Sequence, residues 1–191
     1  MAATRDLLID TMKLLLWERG YDATSPNHVL ERSGVGKGSF YHHFKSKKDL
    51  AIAAMESRAD ELITEFEMVL NSTEGDWLAK VSAYLRLPRS ALKGCRMGRI
   101  VQDPSLEDEL LKAPLQRYFK VLNQQLCALY TQAQKQGELN KNCQVDNLAV
   151  ATLSMLQGSF VLGRALTEEQ MVAEACESFI CLLQSQKTVA S

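Results

Sequence analysis

The sequence predicts an all-α fold, and three observations carry the prediction. Apolar residues recur at three- and four-residue spacing along every long segment. No segment of comparable length alternates apolar and polar residues with a period of two. Only 4 prolines and 10 glycines punctuate 191 residues, few enough breakers to favour long helices. A chain that is 46% hydrophobic and 24% charged is not a disordered protein, a collagen-like repeat or a disulfide-dense scaffold. Its length allows one large domain or two small ones.

The first helix is predicted from Thr4 to Arg19, with Leu8, Met12, Leu15 and Leu16 on one face and Gly20 as its stop. Ser25 before Pro26 reads as an N-cap followed by proline at the first helical position. That opens a short helix to about Ser33, broken by Gly34-Val35-Gly36. A second short helix runs from Lys37 to about Phe44. Ser46-Lys47-Lys48-Asp49 has the spacing of a capping box and opens a long helix. Its inner stripe is Ala51, Met55, Leu62, Phe66 and Val69, and Asn71-Ser72-Thr73 with Gly75 ends it. Leu78, Val81 and Leu85 mark a helix predicted from Asp76 to about Leu92. A Gly94-Cys95 turn and an Asp103-Pro104 break follow. Leu115, Phe119, Leu122, Leu126 and Leu129 define the longest C-terminal helix, closed near Gly137. Helices from Asp146 to about Leu166 and from Thr167 to about Lys187 complete the set.

Charge is divided unevenly. The net is −1, from 22 Lys+Arg against 23 Asp+Glu, which excludes a uniformly basic coat but not a local basic patch. Residues 1–50 hold 8 basic against 6 acidic residues and all three histidines; residues 51–191 hold 14 against 17. A small basic head on an acidic body is the pattern of a DNA-binding unit carried by a sensing or dimerising unit. The opening residues lack the apolar core of a signal peptide. The uncharged stretch Asn147 to Gly163 is 17 residues long, short for a membrane span. The five cysteines have no Cys-x-x-Cys spacing and read as reduced thiols. The expectation is a cytoplasmic protein without a membrane partner.

The two short helices joined by a glycine turn form a helix-turn-helix, whose second helix can enter a DNA major groove. Val29, Leu30 and Val35 are expected to face inward. Phe40 and Phe44, four residues apart, are expected to anchor the second helix. Gly36-Lys37-Gly38-Ser39 gives that helix a slim leading turn, with Ser39, Tyr41 and His42 as hydrogen-bonding groups nearby. Lys45, Lys47 and Lys48 flank it as phosphate-seeking cations. Tyr41 is open to two readings, a phosphate contact or a packing residue with an exposed hydroxyl.

The run from Gly34 to Leu50, with Trp17-Glu18-Arg19-Gly20-Tyr21 before it, resembles the recognition segment of TetR-family transcriptional regulators. The likeness covers roughly residues 5–55, and beyond them it rests on helix number and length. The resemblance implies a homodimeric repressor with a helix-turn-helix DNA-binding domain over residues 1–47. Residues 48–191 would form the ligand-binding and dimerisation domain. It implies that Lys37, Gly38, Ser39, Tyr41 and His42 contact a double-stranded, palindromic operator, and that Ser25 and Lys48 hold phosphates. The family often follows the hydroxyl residue with an aliphatic one. Here Pro26 stands there and has no amide to donate.

Other chemistries fare poorly. Gly36-Lys37-Gly38-Ser39 lacks the spacing and the strand of a phosphate loop. His42 and His43 point about 100° apart on a helix with no cysteine to complete a metal site. Neither a metal nor a cofactor is expected. Asn71-Ser72-Thr73 matches a glycosylation acceptor in form only. Glu107, Asp108 and Glu109 read as solvated surface. Since every histidine lies in the first 50 residues, no Ser-His-Asp or Cys-His pairing can be built. An enzyme acting on a small molecule in the helical body is the alternative of a different class, and turnover of that molecule would mark it.

In the body, Gly94-Cys95-Arg96-Met97-Gly98 resembles a Gly-Cys turn found in a TetR subgroup that includes thiol sensors. Lys93, Arg96 and Arg99 surround Cys95 in sequence, and cations favour the reactive thiolate. Cys95 is therefore either an electrophile or redox sensor or a small residue packed in a turn. Helix position nominates Trp77, Tyr84, Cys95, Met97, Tyr118, Phe119 and Met155 as walls of an effector pocket. The uncharged helix around Met155, Gly158, Phe160 and Gly163, with Val172, Ala175, Phe179 and Leu183 on the last helix, is the expected dimer face.

Overall fold

The computed structural model describes residues 2–188. Among them are eight α-helices: α1 (Ala2–Arg19), α2 (Pro26–Ser33), α3 (Lys37–His43), α4 (Lys47–Ser72), α5 (Trp77–Leu85), α6 (Glu109–Lys135), α7 (Val145–Leu166) and α8 (Met171–Gln184). Two 3-10 turns, Gly98–Gln102 and Pro104–Glu107, lie between α5 and α6. The only extended pairing among the described residues is an isolated bridge between Leu139 and Lys187. The fold is all-α.

Packing divides the residues into two compact units. The first takes the chain up to Leu62 together with Arg96–Tyr118, and the second takes Ile63–Cys95 and the chain from Phe119 onward. This division differs from the expected boundary at residues 47 and 48 because α4 and α6 are continuous helices, each contributing residues to both units. In the first unit, Leu8, Met12 and Leu16 of α1 are buried along with Val29, Phe40, Leu50, Met55, Met97, Ile100 and Leu111. Lys13 is also buried there, donating to Ser57 Oγ (3.3 Å) and pairing with Asp10 (2.6 Å) and Glu61. Opposite charges at hydrogen-bonding distance make such burial tolerable.

The second unit is an aromatic-centred bundle. The Phe66 and Tyr84 rings meet edge to face at 4.5 Å, as do Trp77 and Tyr130 at 5.6 Å. Tyr130 and Thr152 share a buried hydroxyl–hydroxyl hydrogen bond of 2.9 Å. Helix α8 packs on α7 and α5. The segment after α8 returns to the α6–α7 loop, where the Asn140 N–H donates to Gln186 O and the Thr188 N–H to Glu138 O. Helix α7 spans 22 residues and is apolar enough by composition to cross a membrane. Its Leu153, Leu156 and Phe160 are instead buried in the bundle.

Two helices are shorter than their periodicity predicts. Helix α5 ends at Leu85 rather than near Leu92, because Pro88 restricts the residue before it and cannot donate to a fourth-back carbonyl. The freed carbonyls are taken by Arg89, whose guanidinium donates to the oxygens of Tyr84 (2.7 Å), Leu85 (2.8 Å) and Leu87 (2.9 Å). Helix α8 begins at Met171 rather than Thr167, since Thr167 adopts a left-handed conformation (φ 59°) that closes α7. Replacing Arg89 with Leu is expected to lower unfolding free energy by about 1–3 kcal/mol through the Leu85 and Leu87 carbonyls, Tyr84 O keeping the Leu87 N–H. A urea titration checks this. Arg89→Lys should recover only part of the loss, because one ammonium does not reproduce the planar fork.

Candidate nucleic-acid interface

The helix-turn-helix is built by local rules. Ser25 is extended (φ −103°, ψ 161°), and its Oγ accepts the His28 N–H at 3.3 Å. The Ser25 N–H donates to His28 Nδ1 at 3.2 Å, so a histidine completes the capping box where Glu or Gln is usual. The Ser25 oxygen accepts within the cap while its O–H can still donate outward. Gly34 ends α2 in the left-handed region (φ 69°), which a side chain would disfavour. Val29 is buried, and Leu30 and Val35 are half-buried.

Helix α3 has seven residues and no side-chain cap. Phe40 is fully buried, Phe44 nearly so, and their rings lie 6.4 Å apart. The opposite face carries Lys37, Gly38, Ser39, Tyr41 and His42, all exposed. The sequence-predicted reading residues thus come together on one short helix. Ser25 and Lys48 stand apart from them, both half-buried. Lys47 is engaged, donating to Tyr21 O (3.1 Å) with its ammonium 3.8 Å from the Tyr21 ring centre. Lys48 pairs with Asp108 at 2.5 Å.

That ion pair corrects the reading of Asp108 as plain solvated surface. Its Oδ1 accepts the Leu110 N–H (3.0 Å) and caps α6, while Oδ2 holds Lys48. An aspartate just before an apolar-periodic run is an N-cap signature, and that signal was available in the sequence. The segment Arg96–Asp108 makes two further contacts in the same unit. Arg99 donates to Trp17 O. Asp103 Oδ2 accepts the N–H groups of Tyr21 (2.7 Å) and Asp22 (3.4 Å), while Oδ1 accepts from Ser105. Gly20 (φ 82°) allows this approach, since a Cβ there would lie 2.7 Å from Asp103 Oδ2.

The expected effector walls are split between the units. Met97 and Tyr118 are buried in the first. In the second, Trp77 and Tyr84 are buried, and Cys95, Phe119 and Met155 are half-buried. Phe119 lines an open groove of about 640 Å³ between α6 and α7, with Asn123, Val150, Leu153 and Gln157. The Trp77 indole N–H is buried without an acceptor. Of the cations expected around Cys95, Arg99 is engaged with Trp17 O, and the Arg96 guanidinium lies 5.7 Å from the Trp17 ring centre.

Residues 8–54 match the family described as bacterial regulatory proteins, tetR family, and residues 76–179 match the tetracyclin repressor-like C-terminal domain. The chain is 26% identical over 184 residues to an HTH-type transcriptional regulator in the lacX 3' region of Lactococcus lactis subsp. lactis, covering 90% of this chain and 88% of that protein. It is 32% identical over 81 residues to the HTH-type transcriptional repressor NemR of Escherichia coli K12, covering 42% and 41%. The reduced form of E. coli NemR superposes with a TM-score of 0.83 at 18% identity, covering 97% of this chain and 98% of that one. A TetR-family regulator from Cytophaga hutchinsonii gives 0.87 at 16% identity, covering 98% and 96%.

Burial opposes ionisation of Asp103, but hydrogen bonds from Ser105, Tyr21 and Asp22 outweigh it and hold the carboxyl below the ordinary aspartate range. A depressed folded value contributes stability above the unfolded value of ~3.9 and loses it as pH falls through the folded one. The stability advantage of the parent over Asp103→Asn should therefore be full near neutral pH and shrink below about pH 4. Urea midpoints measured across that range check it.

Proposed function

The chain belongs to the tetR family of bacterial regulatory proteins, and from that premise we propose that it is a cytoplasmic, ligand-responsive repressor binding a palindromic operator as a homodimer. One observation carries the reading: the exposed face of α3, where Lys37, Gly38, Ser39, Tyr41 and His42 stand over buried Phe40 and Phe44. Helix α3 lies in the major groove, with Lys37 and Ser39 within reach of base edges. The free O–H of Ser25 and the ammonium of Lys48 hold backbone phosphates. Paired heads read half-sites about one helical turn apart or multiples of it.

The dimer face is α7 with α8. It is not the expected stripe, because Phe160, Gly163, Val172 and Leu183 are buried within the chain's own bundle; Val161, Leu162, Leu166 and Leu182 are each more than half exposed, an apolar surface that a second copy would cover. An effector binds among the helices of the second unit. The open groove beside Phe119, walled by Val150 and Leu153 with Asn123 and Gln157 at hand, supports a largely apolar effector that carries a hydrogen-bonding group. To act, the effector must bind the operator-competent and released forms with different affinity. A second reading, thiol control through Cys95, is favoured by one feature. The half-buried cysteine directly precedes the segment bearing Arg99, Asp103 and Asp108, so an adduct would perturb the buttress of the reading head.

Selection from a random duplex library should enrich a palindrome; no enrichment from folded dimer would refute operator binding. On that duplex, Lys48→Ala should weaken binding to all sequences alike and make the salt dependence shallower by roughly one unit. Lys37→Ala or Ser39→Ala should instead change which bases are preferred. Leu162→Glu paired with Leu182→Glu should give a folded monomer by sedimentation equilibrium, with operator affinity lost.

A further inference from the structure

The Asp108 carboxylate does two things at once. Through Oδ1 it caps α6, whose Lys112 N–H bonds the Asp108 carbonyl at 3.0 Å, and through Oδ2 it occupies the Lys48 ammonium. The paired side chains are each about one-third exposed, 33% for Lys48 and 35% for Asp108, so a polyanion can reach the lysine without unfolding anything. Further carboxylates gather here. Asp22 and Asp103 join Asp108 and Asp49 in raising the pKa of the Tyr21 hydroxyl, behind the effect of its burial.

We propose that Asp108 is an internal competitor for DNA phosphate at Lys48, an affinity-setting contact fixed to the first turn of α6. The inference rests on the reading of Lys48 as a phosphate contact. A carboxylate and a phosphodiester are both anionic oxygen acceptors for the same ammonium. A phosphate within hydrogen-bond reach of Lys48 Nζ stands only a few ångströms from Asp108 Oδ2, where like charges repel. Binding therefore requires either surrender of the Asp108 pair or tolerance of that repulsion, and both weaken the complex. Because the same residue caps α6, displacement of that helix end moves the competitor relative to the lysine.

Asparagine at position 108 isolates the effect. It retains an oxygen for the α6 cap, where Asn serves as well as Asp, and presents an amide NH₂ to Lys48 in place of the second oxygen. The experiment measures binding of the full-length parent, Asp108→Asn, Lys48→Ala and the double variant to a labelled mixed-sequence duplex about three helical turns long at low salt. The mixed sequence suffices because phosphate contacts are sequence-independent. Circular dichroism verifies that the helices are intact, and the helix-cap variant Asp108→Ser provides a second neutral cap if Asn fails to fold.

Asp108→Asn should tighten binding about two- to fivefold, the scale of a partly exposed ion pair, and the gain should shrink as salt rises. In the Lys48→Ala background the same change should give no gain. An equal gain with or without Lys48 would show general repulsion of DNA by an acid and overturn the inference, as would no gain in the parent. Loss of affinity in Lys48→Ala together with either result leaves the phosphate role of Lys48 standing. Unchanged affinity in Lys48→Ala refutes that role and this inference with it.

Discussion

A seven-residue helix has almost no stability of its own, so α3 exists because Phe40 and Phe44 are buried beneath it. No side chain caps its start, and Gly36 and Gly38 raise the entropy lost on ordering it. Burial of two phenylalanine side chains, each contributing roughly 1.5–3 kcal/mol, offsets this. Local structure positions the turn beside those rings. The Ser25–His28 box fixes where α2 begins, Gly34 fixes how it ends, and Val29 is buried behind the turn.

The second support is tertiary. Arg99 and Asp103 hold the end of α1 and the turn after it, and Asp108 holds the first turn of α4. Residues 82 positions apart in sequence are joined this way. The segment Arg96–Asp108 therefore belongs physically with the helix-turn-helix, although it lies in the part of the chain expected to form the ligand-binding body. Its acids make ordered hydrogen bonds: Asp103 caps the second 3-10 turn, and Asp108 caps α6.

What was legible in the sequence was local. Ser25-Pro26, Gly34 and the spacing of Phe40 and Phe44 each act within a few residues, so their placement follows from cap, turn and periodicity rules. The exposed set on α3 follows from the same periodicity. Helical spacing alone carries α5 past its end and starts α8 too early. Pro88 was visible and decisive, whereas the left-handed Thr167 carries no residue-type signal. The Asp103 and Lys48–Asp108 contacts depend on chain reversal over 60 or more positions, which periodicity does not encode. Nor does helix spacing say which side of a buried bundle faces open space. Trp77 and Tyr84 are packed against Tyr130 and Phe66, while of the expected walls Phe119 reaches the α6–α7 groove.

The two faces of α3 also differ in how freely they can change over generations. Phe40 and Phe44 are fixed by packing, and Tyr41 is partly tied through its ring contact with Phe40 at 5.0 Å. Lys37, Ser39 and His42 project outward, so replacing them removes little of what keeps the chain folded. A lineage carrying this scaffold can therefore drift through many outward letters on α3 without passing through an unfolded ancestor. Gene duplication would let one copy keep an old target while its twin acquires another, with the rest of the molecule inherited unaltered.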